Sequence, residues 1–295
     1  MANTLNVTAL PEYVNDHKDE LFVKSVAGGK SIEEISIMAG VKHKEALHFL
    51  DSEVELAGAT CGWNPAGSDT FTEKYVEVKP VSVQKEFCWL DMKEKYMNHQ
   101  LLFEAGREKL PFEQKIAESN MNAIKDAVED LVWKGNSTLG IDGLVKQIKD
   151  SNATVEVTVA SGATVTEKID ALVAGVPMEA LKKGVKVFLS YTDFRAYVAE
   201  ANSTCCANRP IIDAASESIK YVGDSRITLV PVIGLEGANF MVASPASELI
   251  YATDIEGSEG VYRMFYDEKN RTFNLDVLFN AGTAIRRDDL IAYVG

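Results

Sequence analysis

The sequence predicts an α+β protein, and three observations support this prediction. A strand-like stretch runs over residues 54–87, a long helical pattern follows over residues 111–134, and helices alternate with strands over residues 136–260. The chain has 295 residues, of which 46% are hydrophobic and 25% are charged. It can therefore bury a substantial core, in one large domain or in two ordinary ones.

Composition and charge limit the classes of partner. The net charge is -14, and the sequence contains no block of five or six lysines and arginines. A sequence-independent grip on DNA or on an anionic membrane is therefore not expected. The N-terminus lacks the basic start and apolar core of a signal peptide, and the apolar run 227–235 is too short to span a bilayer. We expect an intracellular chain whose cysteines are reduced thiols, namely Cys61, Cys88, Cys205 and Cys206.

Residues 1–50 predict an arm with one or two short helices, broken at Gly28-Gly29. The next residues are extended and then turn-rich, and a second extended stretch follows them. Together they predict a long β-hairpin that covers roughly residues 54–87.

The second strand of this hairpin, Lys74 to Phe87, changes its apolar face halfway along. Val76 and Val78 lie on one face of an extended chain, whereas Val81 lies on the other, because side chains alternate with period two. The change falls at Pro80, where proline removes a ladder donor and favours a kink, a bulge or an edge position.

The predicted strand is long compared with the whole molecule. From Phe71 to Phe87 an extended chain covers about 50 Å at ~3.3 Å per residue, whereas a compact globule of this length has a radius of gyration of about 19 Å. The strand must therefore bend sharply at Pro80 or project beyond its own core. If it projects, another copy must cover its two apolar faces, since they would otherwise form exposed patches. The change of faces would then arise because the hairpin passes between neighbours.

Residues 111–134 carry the strongest helical pattern. Pro111 suits the first turn of a helix, and Gly135 is a natural stop. A helix of this length would extend about 36 Å at 1.5 Å per residue. Its apolar residues lie at helical spacing, at Ile116, Ile124, Val128 and Leu131. The pattern predicts a spine along a sheet or, equally well, an ordinary surface helix.

Residues 136–260 are typical of a separate α/β lobe. Thr164 and Glu167 predict a capping box, and a further short helix starts at Pro177 and ends at Gly184. Strands are predicted at VKVFLS, RITLVPVIGL and NFMVAS, with a helix at YTDFRAYVAEAN. Beyond the lobe, the DEKN stretch predicts a hairpin turn and IAYV predicts a last short strand.

The sequence has no motif that indicates catalysis. The patterns of phosphate loops, dinucleotide-binding loops, serine hydrolases and zinc proteases are missing. Asp254 and Glu256 hint at a calcium loop, but its glycine falls one position late and Phe265 stands where a glutamate should close it, so a solvated acidic turn is favoured. The histidines do not have metal-ligand spacing: His17, His43, His48 and His99. We therefore predict no enzyme activity, no catalytic, cofactor-binding or metal-binding residues, and no cofactor.

Four stretches occur in an informative order. They are VEVKPVSVQKEFCWLDM, PFEQKIAESNMNAIKDAVEDLVWKGN, IDGLVKQI and ITLVPVIGLEGANFMVASPASELIYATD. From about residue 50 onward, this order resembles that of tailed-bacteriophage major capsid proteins, whose Hong Kong ninety-seven fold is also used by encapsulins. The resemblance implies five parts: an N-terminal arm (1–35), an extended loop over the adjacent subunit (36–88), a peripheral domain with a spine helix (89–135), an axial domain (136–261) and returning strands of the peripheral domain (262–295).

The resemblance also implies two candidate features. The stretch NSTCCANRP would lie at the tip of the axial domain. Some members of the family join a loop lysine to an asparagine of a neighbour by an isopeptide bond. Lys74, Lys79 and Lys85 lie in the right element, but no motif identifies an acceptor, so this activity is not transferred.

The function that the resemblance implies is that of a major capsid protein. Copies would self-assemble as pentamers and hexamers into an icosahedral shell that encloses the phage genome, without sequence-specific DNA binding and without a membrane. Portal, scaffold and decoration proteins are further candidate partners. The expected location is the virion, after assembly in the host cytoplasm. An encapsulin-like compartment shell is the first alternative, and an α/β ligand-binding protein or enzyme with residues 136–260 as its functional lobe is the second.

Overall fold

The computed structural model describes residues 8–56, 58, 67–104, 112–203, 212–213, 218–221, 223–254 and 261–295. The helices are α1 (Ala9–Asp16), α2 (Lys18–Ala27), α3 (Lys30–Glu34), α4 (Trp89–Glu104), α5 (Phe112–Lys134), α6 (Leu144–Asp150), α7 (Val165–Gly175), α8 (Met178–Lys183) and α9 (Tyr191–Ser203). The strands are β1 (Ser36–Ala39), β2 (Lys44–Val54), β3 (Gly67–Glu77), β4 (Lys79–Cys88), β5 (Gly135–Asn136), β6 (Ile141–Asp142), β7 (Val155–Glu156), β8 (Val185–Ser190), β9 (Ile212–Asp213), β10 (Ser218–Lys220), β11 (Ile227–Val232), β12 (Met241–Ser244), β13 (Leu249–Thr253), β14 (Val261–Asp267), β15 (Thr272–Ile285) and β16 (Ala292–Val294). The predicted mixture of helices and strands is confirmed.

One of the two larger sheets has seven strands in the order β7-β16-β12-β8-β11-β10-β9. Its central strands β8 and β11 run parallel, which suits the intervening helix α9 as a crossover. A hydrophobic cluster joins this sheet to α7 and α9, and its members include Leu172, Val187, Tyr197 and Leu229. This sheet and its helices form the α/β region that the sequence predicts.

The other large sheet is organised around β15. β4 pairs with residues 272–281 of β15, and β14 pairs with residues 272–278 of the same strand. These two partners must therefore lie on opposite edges of β15. Ala281 pairs with both Lys79 of β4 and Thr253 of β13, so β13 lies on the same edge as β14. β1 extends the sheet beyond β13 as a parallel strand.

Helix α5 lies in the main hydrophobic core, to which the five-stranded sheet also contributes. Ile124, Val128 and Val132 share one buried cluster with Leu275 and Val277 of β15. α5 is therefore a largely buried core helix, and its role as a spine along a sheet stays a prediction. α5 ends where predicted, because Gly135 adopts a φ of 72°, a left-handed conformation that glycine reaches without strain.

Several other local predictions are also confirmed, but the predicted strand RITLVPVIGL ends at Val232, because Ile233–Leu235 forms a 3₁₀ turn. The Thr164 side chain accepts from the Glu167 backbone, and the Glu167 side chain accepts from the Thr164 backbone, so the capping box is complete. Helix α8 is flanked by Pro177 and Gly184 as expected. The DEKN turn joins β14 to β15, and IAYV contains β16.

The change of faces around Pro80 is explained within one chain. Val76 and Val78 cover one face of the five-stranded sheet, where they form a small cluster with Ile250, Ala252 and Ala284. These two valines therefore have an intramolecular partner. The prediction that a neighbouring copy must cover them is wrong.

Immediately after Val78 the chain joins the same sheet as strand β4. Pro80 lies opposite Asn280, and β15 is the only partner of β4 among the described strands, so the predicted edge position is confirmed. Val81 then packs into the main core on the other face of the sheet. The chain first crosses one face of the five-stranded sheet and then becomes an edge strand of that sheet. Because the main core lies on the other face, the apolar side chains change sides at this point.

Two strands belong to a different sheet from the one expected for the predicted part of the chain that contains them. Leu249–Thr253, within the predicted axial part, pairs with β15 in the five-stranded sheet. Ala292–Val294, within the predicted returning strands, pairs with β12 in the seven-stranded sheet. The first arrangement is possible because β15 has 14 residues, and β14 leaves its last residues open to another partner.

The hairpin lies earlier in the chain than predicted, and one helix was not predicted. The hairpin pairs Lys44–Val54 with Gly67–Glu77, so its first strand begins ten residues earlier than the predicted start at residue 54. Trp89–Glu104 forms α4. Its sequence has no apolar stripe that would predict a helix, and Leu90 and Met97 are exposed in the structure.

The N-terminal arm is fastened to α5 by a buried polar contact. Glu129 of α5 is 2% exposed and accepts hydrogen bonds from the backbone N–H of Ser31, at 2.7 Å, and from its hydroxyl. The Ser31 hydroxyl in turn accepts from Trp133 Nε1 at 2.7 Å. Gly29 is required beside this contact, because a Cβ there would lie 2.7 Å from Glu129 Oε1.

This contact predicts a pH-dependent stability. Burial raises the pKa of Glu129, and the two hydrogen bonds from Ser31 only oppose that rise. Below the ordinary glutamate pKa the group is protonated in both the folded and the unfolded chain. As the pH rises through the raised pKa, the native carboxyl must ionise while buried, so its contribution to stability is lost. We expect Glu129→Gln to gain stability relative to the natural chain as the pH rises above the ordinary glutamate pKa, from about pH 4 upward.

Thermal unfolding of both chains across this pH range would measure the difference. Glu118→Gln on the same helix is the control, and it should leave the pH profile unchanged. Parallel pH profiles for Glu129→Gln and the natural chain would show that Glu129 does not titrate differently in the folded state.

Candidate inter-subunit interface

The hairpin of β2 and β3 has two different faces. Cross-strand pairing places Leu50 opposite Phe71 and Ala46 opposite Tyr75 on one face, which we call the outer face. Leu47 lies on the opposite face, which we call the body face. Because side chains alternate along both strands, each residue belongs to one face only.

The outer face exposes an unusual amount of apolar surface. Phe71 is 80% exposed and Leu50 is 51% exposed, and they form a direct cross-strand pair. Tyr75 and Val54, on the same face, are also exposed. Single exposed apolar residues are ordinary, but an aligned row of them is typical of an interaction site.

The body face is buried only at the base of the hairpin. Leu47 and Val76 are buried in the cluster under the five-stranded sheet. Beyond Lys74, every residue from Gly67 to Glu73 is exposed. The hairpin therefore rests on its own body at the base and projects from it further out.

Lys74 marks the outermost attachment of β3 to its own body. Its Nζ lies 2.6 Å from Asp288 Oδ2, and the Ser151 hydroxyl donates to the same oxygen at 2.9 Å. Asp288 stands in the 3₁₀ turn Asp288–Leu290 that precedes β16. The ion pair therefore sets where the free part of the hairpin begins.

A double-mutant cycle measures how strongly this ion pair couples the two segments. We expect Lys74→Ala and Asp288→Asn to show a coupling of about 0.5–1 kcal/mol in urea unfolding, because the pair is partly exposed and is screened by solvent. The coupling should decrease with added salt. Additive effects at low salt would show that the contact holds nothing in place.

The other two lysines of interest are also engaged within their own chain. Lys85 Nζ donates to Asn120 Oδ1 on α5 at 3.3 Å. Lys79 Nζ lies 3.8 Å from the carboxylate of Glu77. These contacts identify no acceptor in another copy.

The remaining chemistry-bearing residues form no site in the described part of the chain. There, no group of three or more His, Cys, Asp and Glu side chains is placed to hold a metal ion. Cys88 is exposed at the end of β4. Cys61, Cys205 and Cys206, with most of NSTCCANRP, lie outside the described residues. Within the same limits, no helix is long and apolar enough to cross a membrane.

The prediction of a solvated acidic turn is wrong at Asp254. Its side chain is 2% exposed, and neither carboxylate oxygen has a hydrogen-bond partner among the described residues. Asp254 directly follows β13, and its position beside the sheet buries it. Glu256 lies outside the described residues.

No protein-family model matches the chain, and no curated protein matches it in sequence. Solved structures match its fold over almost the whole length. A chain of the procapsid of satellite phage P4 matches with a TM-score of 0.60 and 11% identity, over 94% of this chain and 90% of that chain. The capsid of the empty GTA particle matches with a TM-score of 0.59 and 8% identity, over 92% of this chain and 89% of that chain.

The virus-like particle from Pyrococcus furiosus matches with a TM-score of 0.52 and 10% identity, over 94% of this chain and 96% of that chain. At such low identities the matches establish the fold. The similarity covers more than nine-tenths of this chain in each of the three cases. This chain has the fold of the tailed-phage major capsid proteins.

Proposed function

We propose that this chain is a capsid subunit that self-assembles into an icosahedral shell around a phage genome. The observation that carries the proposal is the outer face of the hairpin, where Leu50 and Phe71 are more than half exposed in the described part of the chain. A second copy would remove this apolar row from water. The fold supports the proposal because the chains it matches come from capsids and particles.

The parts of the chain receive roles under this proposal. Residues 1–35 act as an arm, residues 36–88 as the extended loop, residues 89–135 with 262–295 as a peripheral domain, and residues 136–261 as an axial domain, except that β13 joins the five-stranded sheet and β16 joins the seven-stranded sheet. Copies form pentamers and hexamers, with portal, scaffold and decoration proteins as further partners. The shell assembles in the host cytoplasm and becomes part of the virion.

The charge of the chain fits a container for DNA. With 44 acidic and 30 basic residues, the net charge of -14 opposes tight adhesion to packed phosphates. A structural role without catalysis also agrees with the lack of a recognised catalytic motif in the sequence.

A compartment shell that holds cargo protein is the second candidate. The observation that favours it is the match to the virus-like particle from Pyrococcus furiosus, which covers 96% of that chain. The two functions share the same assembly and differ in what the shell encloses.

Expression of the chain alone, followed by size-exclusion chromatography and negative-stain microscopy, tests assembly. We expect hollow particles or rings of five and six copies. DNA that survives nuclease treatment of particles purified from infected cells would support a capsid around a genome. Co-purified enzyme without nucleic acid would support a compartment shell. A compact monomer at high concentration, with and without co-expressed phage proteins, would contradict both.

A further inference from the structure

An open groove runs along the free edge of strand β2. Five consecutive residues of β2, from Ala46 to Leu50, line it, and its volume is about 580 Å³. Consecutive residues of a strand point to alternating faces, so a groove that touches all five follows the strand edge. Among the described strands β2 pairs with β3 alone, so this edge retains unpaired backbone groups.

The far wall of the groove is cationic. Lys183, Arg286 and Arg287 line it together with the buried Glu248. Lys183 Nζ forms an ion pair with Glu248 Oε1 at 2.8 Å, so the charges of these two side chains cancel.

The two arginines of the wall differ in how they are neutralised. Arg287 Nη2 lies 2.6 Å from Asp289 and 3.7 Å from Glu179. The half-buried Arg286 has no ion pair and no side-chain hydrogen bond among the described residues. The groove therefore presents one uncompensated guanidinium opposite an open strand edge.

The free part of the hairpin has the complementary charge. Its described acidic side chains beyond Lys74 are Glu53, Glu55, Asp69 and Glu73, and no lysine or arginine lies among residues 48–56 and 67–73. It is also an extended strand pair, which is the shape that can add to a free strand edge.

We propose that the groove beside β2 receives the acidic free part of the hairpin of a second copy, with Arg286 pairing with one of its carboxylates. This inference rests on the proposed function and names the receiving surface for the hairpin. Backbone hydrogen bonds along β2 supply affinity, and the charge pairing fixes which segment enters.

Charge reversal on each side of the contact tests the proposal. Arg286→Glu alone, and Glu53→Lys with Glu73→Lys, should each reduce the fraction of chain in particles at least about tenfold at moderate salt. The combination of all three substitutions should restore most of the assembly. Arg263→Glu is the matched control, because Arg263 is an exposed arginine already paired with Asp276, which lies ten residues before Arg286 along the chain.

Circular dichroism and thermal unfolding establish that each variant is folded before assembly is scored. If the natural chain assembles and Arg286→Glu assembles equally well, the groove proposal fails while the proposed function stands. Loss of assembly in Arg286→Glu that the hairpin reversals do not repair also overturns it, because another segment then occupies the groove. A natural chain that never assembles overturns both.

Discussion

Replacing Leu50 and Phe71 together by aspartate is expected to abolish particle assembly while leaving the chain folded. Phe71 is 80% exposed and Leu50 is 51% exposed in the single chain, so their loss removes little packing within it, most of it at Leu50. Burial of each in a partner is worth about 1.5–3 kcal/mol. Losing both would weaken a contact by more than ~3 kcal/mol, which is over a hundredfold in its association constant. The introduced carboxylates add a desolvation cost at the same place.

Size-exclusion chromatography and electron microscopy of the variant would measure this loss, with thermal unfolding as the check on folding. Met178→Asp is the matched control, since Met178 is 74% exposed on α8 rather than on the hairpin. The Met178 variant should still assemble. Normal particles from the hairpin variant would remove the outer face from any role in assembly.

Trp133→Ala is expected to cost about 3–5 kcal/mol of unfolding free energy, the range for deletion of a buried tryptophan. Trp133 is fully buried and joins three parts of the molecule. Its ring centroid lies 5.3 Å from that of Phe188 in the seven-stranded sheet, and its Nε1 donates to Ser31 in the arm. A Cβ on Gly234 would lie 2.4 Å from Trp133 Cδ1, so the ring is closely packed on this side as well.

Chemical denaturation would measure this cost, and two variants sharpen it. Trp133→Phe keeps most of the ring but removes the donor to Ser31, so we expect a smaller loss of about 1–3 kcal/mol. Phe71→Ala removes an aromatic ring that is 80% exposed, and it should leave the unfolding free energy almost unchanged. Equal losses for Trp133→Ala and Phe71→Ala would contradict this description of the core.

Local signals in the sequence were sufficient for several elements. The capping box at Thr164 and Glu167 and the end of α5 at Gly135 depend on neighbouring residues only, so the sequence carries the whole explanation. The start of β2 was missed because Leu47, Phe49 and Leu50 place apolar residues on both faces of the strand, and no alternation remains to be recognised.

The pairing of distant strands was not predictable from local patterns. β13 and β16 have ordinary strand sequences, and only the three-dimensional order of the strands assigns them to their sheets. The same limit applies to the interface. The length of the predicted strand indicated a bend at Pro80 or a projection, but the register of Leu50 opposite Phe71 was needed to identify the exposed face of the hairpin.

The body face of the hairpin packs on its own chain at the base, whereas the outer face is exposed. This asymmetry affects how copies can be arranged. Under the proposed function, the hairpin of one copy contacts a different surface on the next copy, which is a head-to-tail contact. Such a contact repeats from copy to copy until the rotation between copies closes a ring. The angle at which the hairpin leaves the body then fixes the curvature of the array. Under the proposed function, the Lys74 and Asp288 pair at that point of departure therefore bears on the curvature of the assembly.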